Sequence, residues 1–238
     1  DEGEPGTIKD RILMEGDPHQ IIEGMVIAAY AIGATKGFIY IRGEYSDSIK
    51  TMNAAIKQAT EKGMLGKNIL NSGFDFEMSV AMGGGAYVCG EETALIDSME
   101  GKRGEPRLKP PYPPVEGLFG KPTIVNNVET IVNVPHIIAK GGEWFRSLGA
   151  SCSPGTKLFM LCGDVNEPGI VETPVDLSFE EVINKFGKGV KDGQIKFAQI
   201  GGSSGNIFTP EMLKKVWTYE RCCEFKVSYG TGSIFVCN

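Results

Sequence analysis

The residues best suited to chemistry stand in one glycine-rich stretch, 82–95, where three consecutive glycines and Gly90 precede the paired carboxylates Glu91 and Glu92. Glycines let the backbone turn tightly and approach a flat or phosphorylated ligand closely. A glycine-rich turn after a strand also occurs without any ligand, so both interpretations stay open on this motif alone. The two acids argue against a simple phosphate cradle, because they compete for the N–H donors that an anion needs.

A second polar group opens a predicted helix at residues 125–131. Asn126, Asn127 and Thr130 carry neutral donors and acceptors suited to a phosphate or a ribityl chain. Capping of the helix explains one of the asparagines equally well.

A basic, proline-rich stretch, 100–114, separates these two groups and cannot form regular helix. Within it, Tyr112 could stack on a base, and four basic residues could neutralise the phosphates of a dinucleotide: Lys102, Arg103, Arg107 and Lys109. Charged loops are more commonly solvated surface, so the motif again allows two interpretations.

The elements that must position these groups follow a layered pattern. Helical and strand signals alternate, with helices predicted at 17–33 and 46–63 and strands at 37–42 and 74–80. The second strand leads into the glycine-rich stretch, and open α/β sheets keep their ligands at the ends of strands. The pattern of residues 1–150 therefore predicts an α/β domain. Helical periodicity that begins at residue 125 continues to Leu148.

The pattern changes at 151–155, where we place a domain boundary. Residues 151–238 predict a hairpin, a helix headed by a Ser178–Glu181 capping box, and a returning strand at 196–200. This order is typical of a small α+β module of the ubiquitin-like, β-grasp type, whose simplest role is docking or support.

Composition narrows the function classes. The chain has 238 residues, 41% of them hydrophobic, and a formal net charge of −6, which gives no general attraction to nucleic acid. No apolar run is long enough to insert in a membrane. The six cysteines lack Cys-x-x-Cys spacing, so we expect no metal site and reduced thiols in a cytoplasmic protein.

Several motifs taken together resemble one family: the NADH-oxidising flavoprotein subunit of respiratory complex I, with its relatives in NAD-linked iron hydrogenases and formate dehydrogenases. The stretches that carry the resemblance are DEGEPG (1–6), KDR (9–11), RGEY (42–45), GGGAYVCGEETAL (83–95), KPPYP (109–113), GKPT (120–123) and VNNVET (125–130). Residues 14–19 favour the hydrogenase branch. The resemblance implies a Rossmann-like FMN-binding domain in 1–150 and a β-grasp domain in 151–238.

The resemblance also implies roles for individual residues. Glu4 and Glu92 would orient the nicotinamide and its ribose as catalytic residues. The implied cofactor-binding residues are Asp1, Tyr87, Gly90 and Glu91 at the flavin ring, Val125, Asn126, Asn127 and Thr130 at the ribityl chain and phosphate, and Lys109 and Tyr112 at the adenine end. The implied reaction is hydride exchange between NAD(H) and FMN, with single electrons passing to iron–sulfur subunits of a larger complex.

Two features of the family are missing from these residues: a further glycine-rich segment for the flavin phosphate, and a cysteine-bearing domain for a 4Fe-4S cluster. We therefore expect a fragment of a longer protein, which by itself binds FMN weakly or not at all, is inactive and holds no cluster. The alternative is a non-catalytic scaffold or docking module derived from the same family.

Overall fold

A computed structural model describes residues 1–238. The elements in chain order are α1 (Lys9–Gly16), α2 (Pro18–Ile32), β1 (Lys36–Arg42), α3 (Ser46–Glu61), β2 (Glu77–Gly83), α4 (Glu92–Met99), α5 (Val128–Lys140), α6 (Gly142–Arg146), β3 (Gly149–Ala150), β4 (Ser153–Pro154), β5 (Thr156–Gly163), β6 (Gly169–Pro174), α7 (Phe179–Phe186), β7 (Phe197–Ile200), β8 (Asn206–Phe208), α8 (Pro210–Leu213), α9 (Tyr219–Phe225) and β9 (Ser233–Cys237). Short 3₁₀ turns occur at 69–71, 87–90 and 118–120.

The chain forms two compact units. The first comprises residues 1–3 and 10–139, and the second comprises 4–9 and 140–238. Each unit contains helices and strands, so the predicted mixed α/β class is confirmed. No helix is long and apolar enough to traverse a bilayer.

In the first unit, β1 and β2 pair in parallel, from Lys36 opposite Glu77 to Arg42 opposite Gly83. The predicted helix between Asp17 and Gly33 is α2. Asp17 accepts a hydrogen bond from Gln20 N at 3.2 Å, and Gly33 ends the helix in the left-handed conformation. The core of this unit lies between the helices and β1, with Ile21, Ile22, Ile39, Ile41, Met52 and Phe76 buried.

Two predicted elements have different bounds in the structure. The strand predicted at 74–80 is β2, and it begins at Glu77 because Phe76 pairs with Gly66 instead of with β1. The helix predicted to run to Leu148 ends at Lys140, since Gly141 adopts a φ of 89° that interrupts helical geometry; α6 follows as a separate short helix.

The second unit is built on a five-stranded sheet in the order β6-β5-β9-β7-β8. β5 and β6 form the predicted antiparallel hairpin, and β9 returns parallel to β5. The capping box is confirmed, because Glu181 N donates to Ser178 Oγ and the Glu181 carboxylate accepts from Ser178 N. α7 packs its buried face on this sheet, with Val182 and Ile183 fully enclosed.

Candidate functional site

The candidate site in the first unit forms where the two parallel strands end side by side. β2 ends at Gly83, which opens the glycine-rich turn 83–90. Gly83 lies against the Tyr40 hydroxyl so closely that a Cβ would stand 2.4 Å from it. That hydroxyl shares a 2.9 Å hydrogen bond with Ser98 Oγ of α4. Tyr40 therefore supports the start of the turn, whereas Gly84 faces open space.

Glu91 is the N-cap of α4. One of its carboxylate oxygens accepts hydrogen bonds from Thr93 N at 2.8 Å, Ala94 N at 3.0 Å and Thr93 Oγ1. Burial by itself raises the pKa of Glu91, but hydrogen bonds from Thr93, Ala94 and Lys109 outweigh it and lower the pKa to about 2. The Glu91 carboxylate is thus committed to the helix cap and to Lys109. Its backbone N–H donates to the Val88 carbonyl at 3.0 Å, and its carbonyl accepts from Leu95 N at 2.9 Å.

Glu92, the first residue of α4, projects its carboxylate beside that cap. Lys109 Nζ bridges the two acids, with Glu91 Oε1 at 3.1 Å and Glu92 Oε1 in direct hydrogen-bond contact. The hydrogen bonds from Glu92 and then Glu91 raise the pKa of Lys109. Lys109, which was predicted to contact the adenine end of the nucleotide, therefore binds Glu92, which was predicted to orient the nicotinamide.

Asp1 carries the least satisfied polar group near the turn. Both oxygens of its carboxylate are buried and have no hydrogen-bond partner. A Cβ added at Gly90 would lie 3.7 Å from the Asp1 carbonyl, and Gly3 packs beside Tyr87, so Asp1 and this turn are neighbours. Tyr87 remains 59% exposed. A buried acceptor without a donor is costly unless a ligand supplies one.

A further cluster of hydrogen-bonded side chains, centred on Glu2, lies at the end of β1, and its residues were not among the predicted site residues. The buried Glu2 carboxylate accepts from Asp10 N at 2.9 Å, Arg11 N at 3.2 Å and the Tyr45 hydroxyl at 3.1 Å. Arg42 donates to the Glu2 carbonyl at 2.8 Å. Burial and the neighbouring Glu2 carboxylate raise the pKa of Tyr45. The RGEY motif at 42–45 was the sequence signal for this cluster, which holds the segment that carries Asp1.

The amide-bearing group lies in a cleft of about 1020 Å³ in the same unit. Val125, Asn126 and Asn127 line it together with Asp1 and Arg42. Asn126 is exposed there and makes no hydrogen bond within the chain.

The other members of this group are less available. Asn127 Nδ2 donates to Asp10 Oδ2 at 2.8 Å, while its Oδ1 accepts from Glu129 N at 2.9 Å. The capping interpretation therefore holds for Asn127, not for Asn126. Thr130 is exposed on α5 but is not part of the cleft lining.

The basic residues of the proline-rich stretch are engaged by acids. Arg107 pairs with Asp97 and with Glu100 at 3.2 Å, and Lys102 Nζ lies 2.7 Å from Glu100. These pairs disfavour the idea that the loop neutralises phosphates. Tyr112 is more than half exposed, so its ring is open to solvent.

Glu4 belongs to the second unit. Its carboxylate accepts from Ser204 N at 2.8 Å, Ser204 Oγ at 2.8 Å and Ser203 Oγ at 3.1 Å. Gly202, at φ 94°, packs directly on the Glu4 side chain. The glycine-serine loop 201–205 therefore binds this carboxylate. To contact a nicotinamide as predicted, Glu4 would have to give up one of these hydrogen bonds to the loop.

The structure contains no group of three or more side chains placed to hold a metal ion, and all six cysteines are free thiols.

The chain is similar to known proteins across both units. Residues 1–136 match the family model described as Nuo51 FMN-binding domain. Among curated proteins, an NADH-quinone oxidoreductase subunit of Aquifex aeolicus (strain VF5) is 55% identical over 213 residues, covering 90% of this chain and 50% of the relative. The NADP-reducing hydrogenase subunit HndC of Solidesulfovibrio fructosivorans is 49% identical over 237 residues, covering 99% of this chain and 48% of the relative.

Among solved structures, the air-oxidized NAD+-reducing [NiFe]-hydrogenase is similar over 100% of this chain and 39% of that chain, with a TM-score of 0.86 and 39% identity. The chain thus spans about half the length of the curated relatives it matches. The family model and these identities together confirm the resemblance: the chain belongs to the Nuo51 FMN-binding family, with the NADH-quinone oxidoreductase and NADP-reducing hydrogenase subunits among its relatives.

Proposed function

We propose that this chain is the FMN- and NAD(H)-binding part of an NADH:acceptor oxidoreductase subunit that works within a multisubunit complex. The first unit is the Rossmann-like flavin domain, predicted at 1–150, and the second is the β-grasp domain, predicted at 151–238. The iron–sulfur partners and a 4Fe-4S cluster belong to the longer protein and its complex, in the cytoplasm. FMN, when bound, supplies exchange of hydride with NAD(H) and release of single electrons.

The observation that carries this proposal is the buried, unpartnered carboxylate of Asp1 next to the glycine-rich turn. Such a carboxylate suits a ligand that presents an N–H donor, as the edge of a flavin ring does. Gly84 faces open space, and Tyr87 is exposed beside Gly3, so the turn leaves room for a flat ring. The residues present therefore fit the flavin.

The roles of the remaining residues follow from their contacts. Asp1, Tyr87 and the backbone at Gly90 and Glu91 would hold the flavin ring. Asn126, whose amide is free in the cleft, would bind the ribityl chain or phosphate. Val125 and Asn127 would shape that end of the site, with Asn127 acting mainly as a helix cap. Thr130, which lies on α5 outside the cleft lining, stays a predicted contact of the phosphate.

Glu92 is the residue best placed to receive the nicotinamide ribose. Lys109 holds its carboxylate at the first turn of α4, and a carboxylate is a bidentate acceptor for neighbouring hydroxyls. A fixed acceptor restricts the bound nucleotide to few orientations, which is the main requirement of hydride exchange. Lys109 and Tyr112 would contact the rest of the nucleotide, and Glu4 remains a second candidate for the nicotinamide side.

The test is Glu92→Gln in the full-length protein. We expect flavin absorbance to be retained and kcat/KM for NADH to fall about tenfold or more, as expected for the loss of a hydrogen bond to a charged group. Glu105→Gln is the matched control, because Glu105 is an exposed loop acid paired only with Arg103. Unchanged kinetics in Glu92→Gln would contradict the role of Glu92. If the natural full-length protein retained no flavin at all, the scaffold alternative would be favoured.

A further inference from the structure

Residues 1–3, named here the Asp1 segment, place a buried carboxylate beside the glycine-rich turn. Neither oxygen of that carboxylate has a hydrogen-bond partner, so its orientation depends on the backbone that carries it. Part of this backbone packs against the turn. A Cβ added at Gly3 would stand 3.1 Å from a ring carbon of Tyr87, and one added at Gly90 would stand 3.7 Å from the Asp1 carbonyl. This packing limits where the Asp1 segment can lie.

Arg42, the last residue of β1, holds the Asp1 segment by a hydrogen bond. Its Nη1 donates to the Glu2 carbonyl at 2.8 Å, while Nε and Nη2 donate to the two carboxylate oxygens of Glu44 at 3.2 and 2.7 Å. Glu44 lies directly against the turn, because a Cβ added at Gly85 would stand 2.5 Å from its Oε1. Each nitrogen of the guanidinium is therefore engaged within the chain, and Arg42 can act on a ligand through the Asp1 segment.

The side chain of Glu2 is held as well as its carbonyl. The carboxylate accepts from Asp10 N at 2.9 Å and Arg11 N at 3.2 Å, both in the first turn of α1, and from the Tyr45 hydroxyl at 3.1 Å. The guanidinium carbons of Arg11 and Arg42 each lie 5.5 Å from the centroid of the Tyr45 ring. The residue next to Asp1 is thus fixed at both of its polar ends, which restricts the freedom of Asp1 itself.

We infer that Arg42 is a positioning residue for flavin binding: through the Glu2 carbonyl it fixes the Asp1 carboxylate in the orientation that accepts the N–H edge of the flavin. This inference rests on the proposed FMN site. An acceptor that is already in place needs no reorganisation when the ligand binds, and the affinity is higher for that reason. The geometry of the guanidinium matters more than its charge, because a lysine ammonium does not reproduce the planar fork that binds Glu44 and Glu2 together.

A double-mutant cycle on FMN affinity separates this role from simple stabilisation of the fold. The full-length apoprotein is titrated with FMN for the natural sequence, Arg42→Lys, Asp1→Asn and the double variant. We expect Arg42→Lys to weaken binding about tenfold in the natural background. In the Asp1→Asn background it should weaken binding by less than about threefold, because no carboxylate remains to be oriented. Equal weakening in both backgrounds would overturn the inference, and so would an unchanged affinity in Arg42→Lys.

Arg11→Lys is the matched control. Arg11 also stacks on Tyr45 and pairs with a carboxylate, that of Glu15 at 3.0 Å, but its side chain does not bond to the Asp1 segment. This control should change the FMN affinity by less than about twofold.

Tyr45→Phe is the second variant, for the case that Arg42→Lys does not fold. It keeps the stacked ring and removes the hydroxyl that donates to Glu2. We expect FMN binding to weaken about threefold to tenfold, and this loss should also disappear in the Asp1→Asn background. An equal loss in both backgrounds would again overturn the inference.

These titrations distinguish failure of the inference from failure of the proposed function. If the natural full-length apoprotein binds no FMN, both are overturned. If it binds one FMN per chain and the cycle shows no coupling between Arg42 and Asp1, the FMN site stands and the positioning role of Arg42 is wrong.

Discussion

Replacing Glu91 by glutamine tests how the glycine-rich turn is joined to α4. The carboxylate receives two backbone N–H groups and the Thr93 hydroxyl on one oxygen, and Lys109 on the other. Glutamine retains one oxygen for the helix but presents an amide N–H₂ to the ammonium of Lys109. Charge-assisted hydrogen bonds are thereby replaced by neutral ones and one ion pair is lost.

The size of the effect follows from the pKa and the exposure of the side chain. A decrease of the pKa from 4.5 to about 2 corresponds to about 3 kcal/mol at most. The Glu91 side chain is 34% exposed, so solvent screening reduces this value. N-cap replacements cost about 0.5–2 kcal/mol, and we expect Glu91→Gln to lower the free energy of unfolding by about 1–2 kcal/mol near neutral pH.

The sign of the pH dependence is fixed by the lowered pKa. The stabilisation is complete above the unfolded pKa of 4.5 and is lost as the pH falls towards the folded value of about 2. Urea unfolding of both proteins, at about pH 7 and about pH 3, should therefore show a difference that shrinks to less than half at the lower pH. Glu23→Gln, on the exposed face of α2, is the control and should change little. A difference that is equal at both pH values would refute the assignment of the cap.

Two further substitutions test other contacts in the two units. Gly83→Ala should lower the free energy of unfolding by about 1–3 kcal/mol in thermal or urea unfolding, because the new Cβ would collide with Tyr40. Gly84→Ala is the control and should lower it by less than about 1 kcal/mol, because Gly84 faces open space. Equal losses of stability in the two variants would contradict the described packing. Glu4→Gln should lower stability by about 1–3 kcal/mol, because three donors of Ser203 and Ser204 lose a charged acceptor; unchanged stability with a raised KM for NADH would instead assign Glu4 to the nicotinamide.

Local patterns predicted the regular elements of this fold well. Asp17 and Gly33 delimit α2, and Ser178 with Glu181 marks the start of α7, because caps depend on residues only three or four positions apart. The bounds of β2 were wrong because the partner of Phe76 is Gly66, and pairing of this kind depends on tertiary contacts that no local alternation reveals.

The site could be predicted only in part. The glycine-rich turn and its two acids were recognisable as a motif, but the different contacts that the two acids make were not. Glu91 is committed to a cap and Glu92 is held by Lys109, although the two acids are adjacent in sequence. The partners of Glu4, Ser203 and Ser204, lie about 200 positions away in sequence. Such long-range hydrogen bonds follow from the tertiary fold, which a single sequence does not specify residue by residue.

The central claim is that the first unit holds FMN between Asp1 and the amide-bearing loop. The most direct measurement is a flavin titration of the full-length apoprotein, followed by absorbance and fluorescence, for the natural sequence and for Asp1→Asn and Asn126→Ala. We predict one FMN bound per chain and an affinity reduced by about tenfold or more in each variant, as loss of one charged or polar contact requires. Stoichiometric binding that neither substitution weakens would contradict the placement of the flavin.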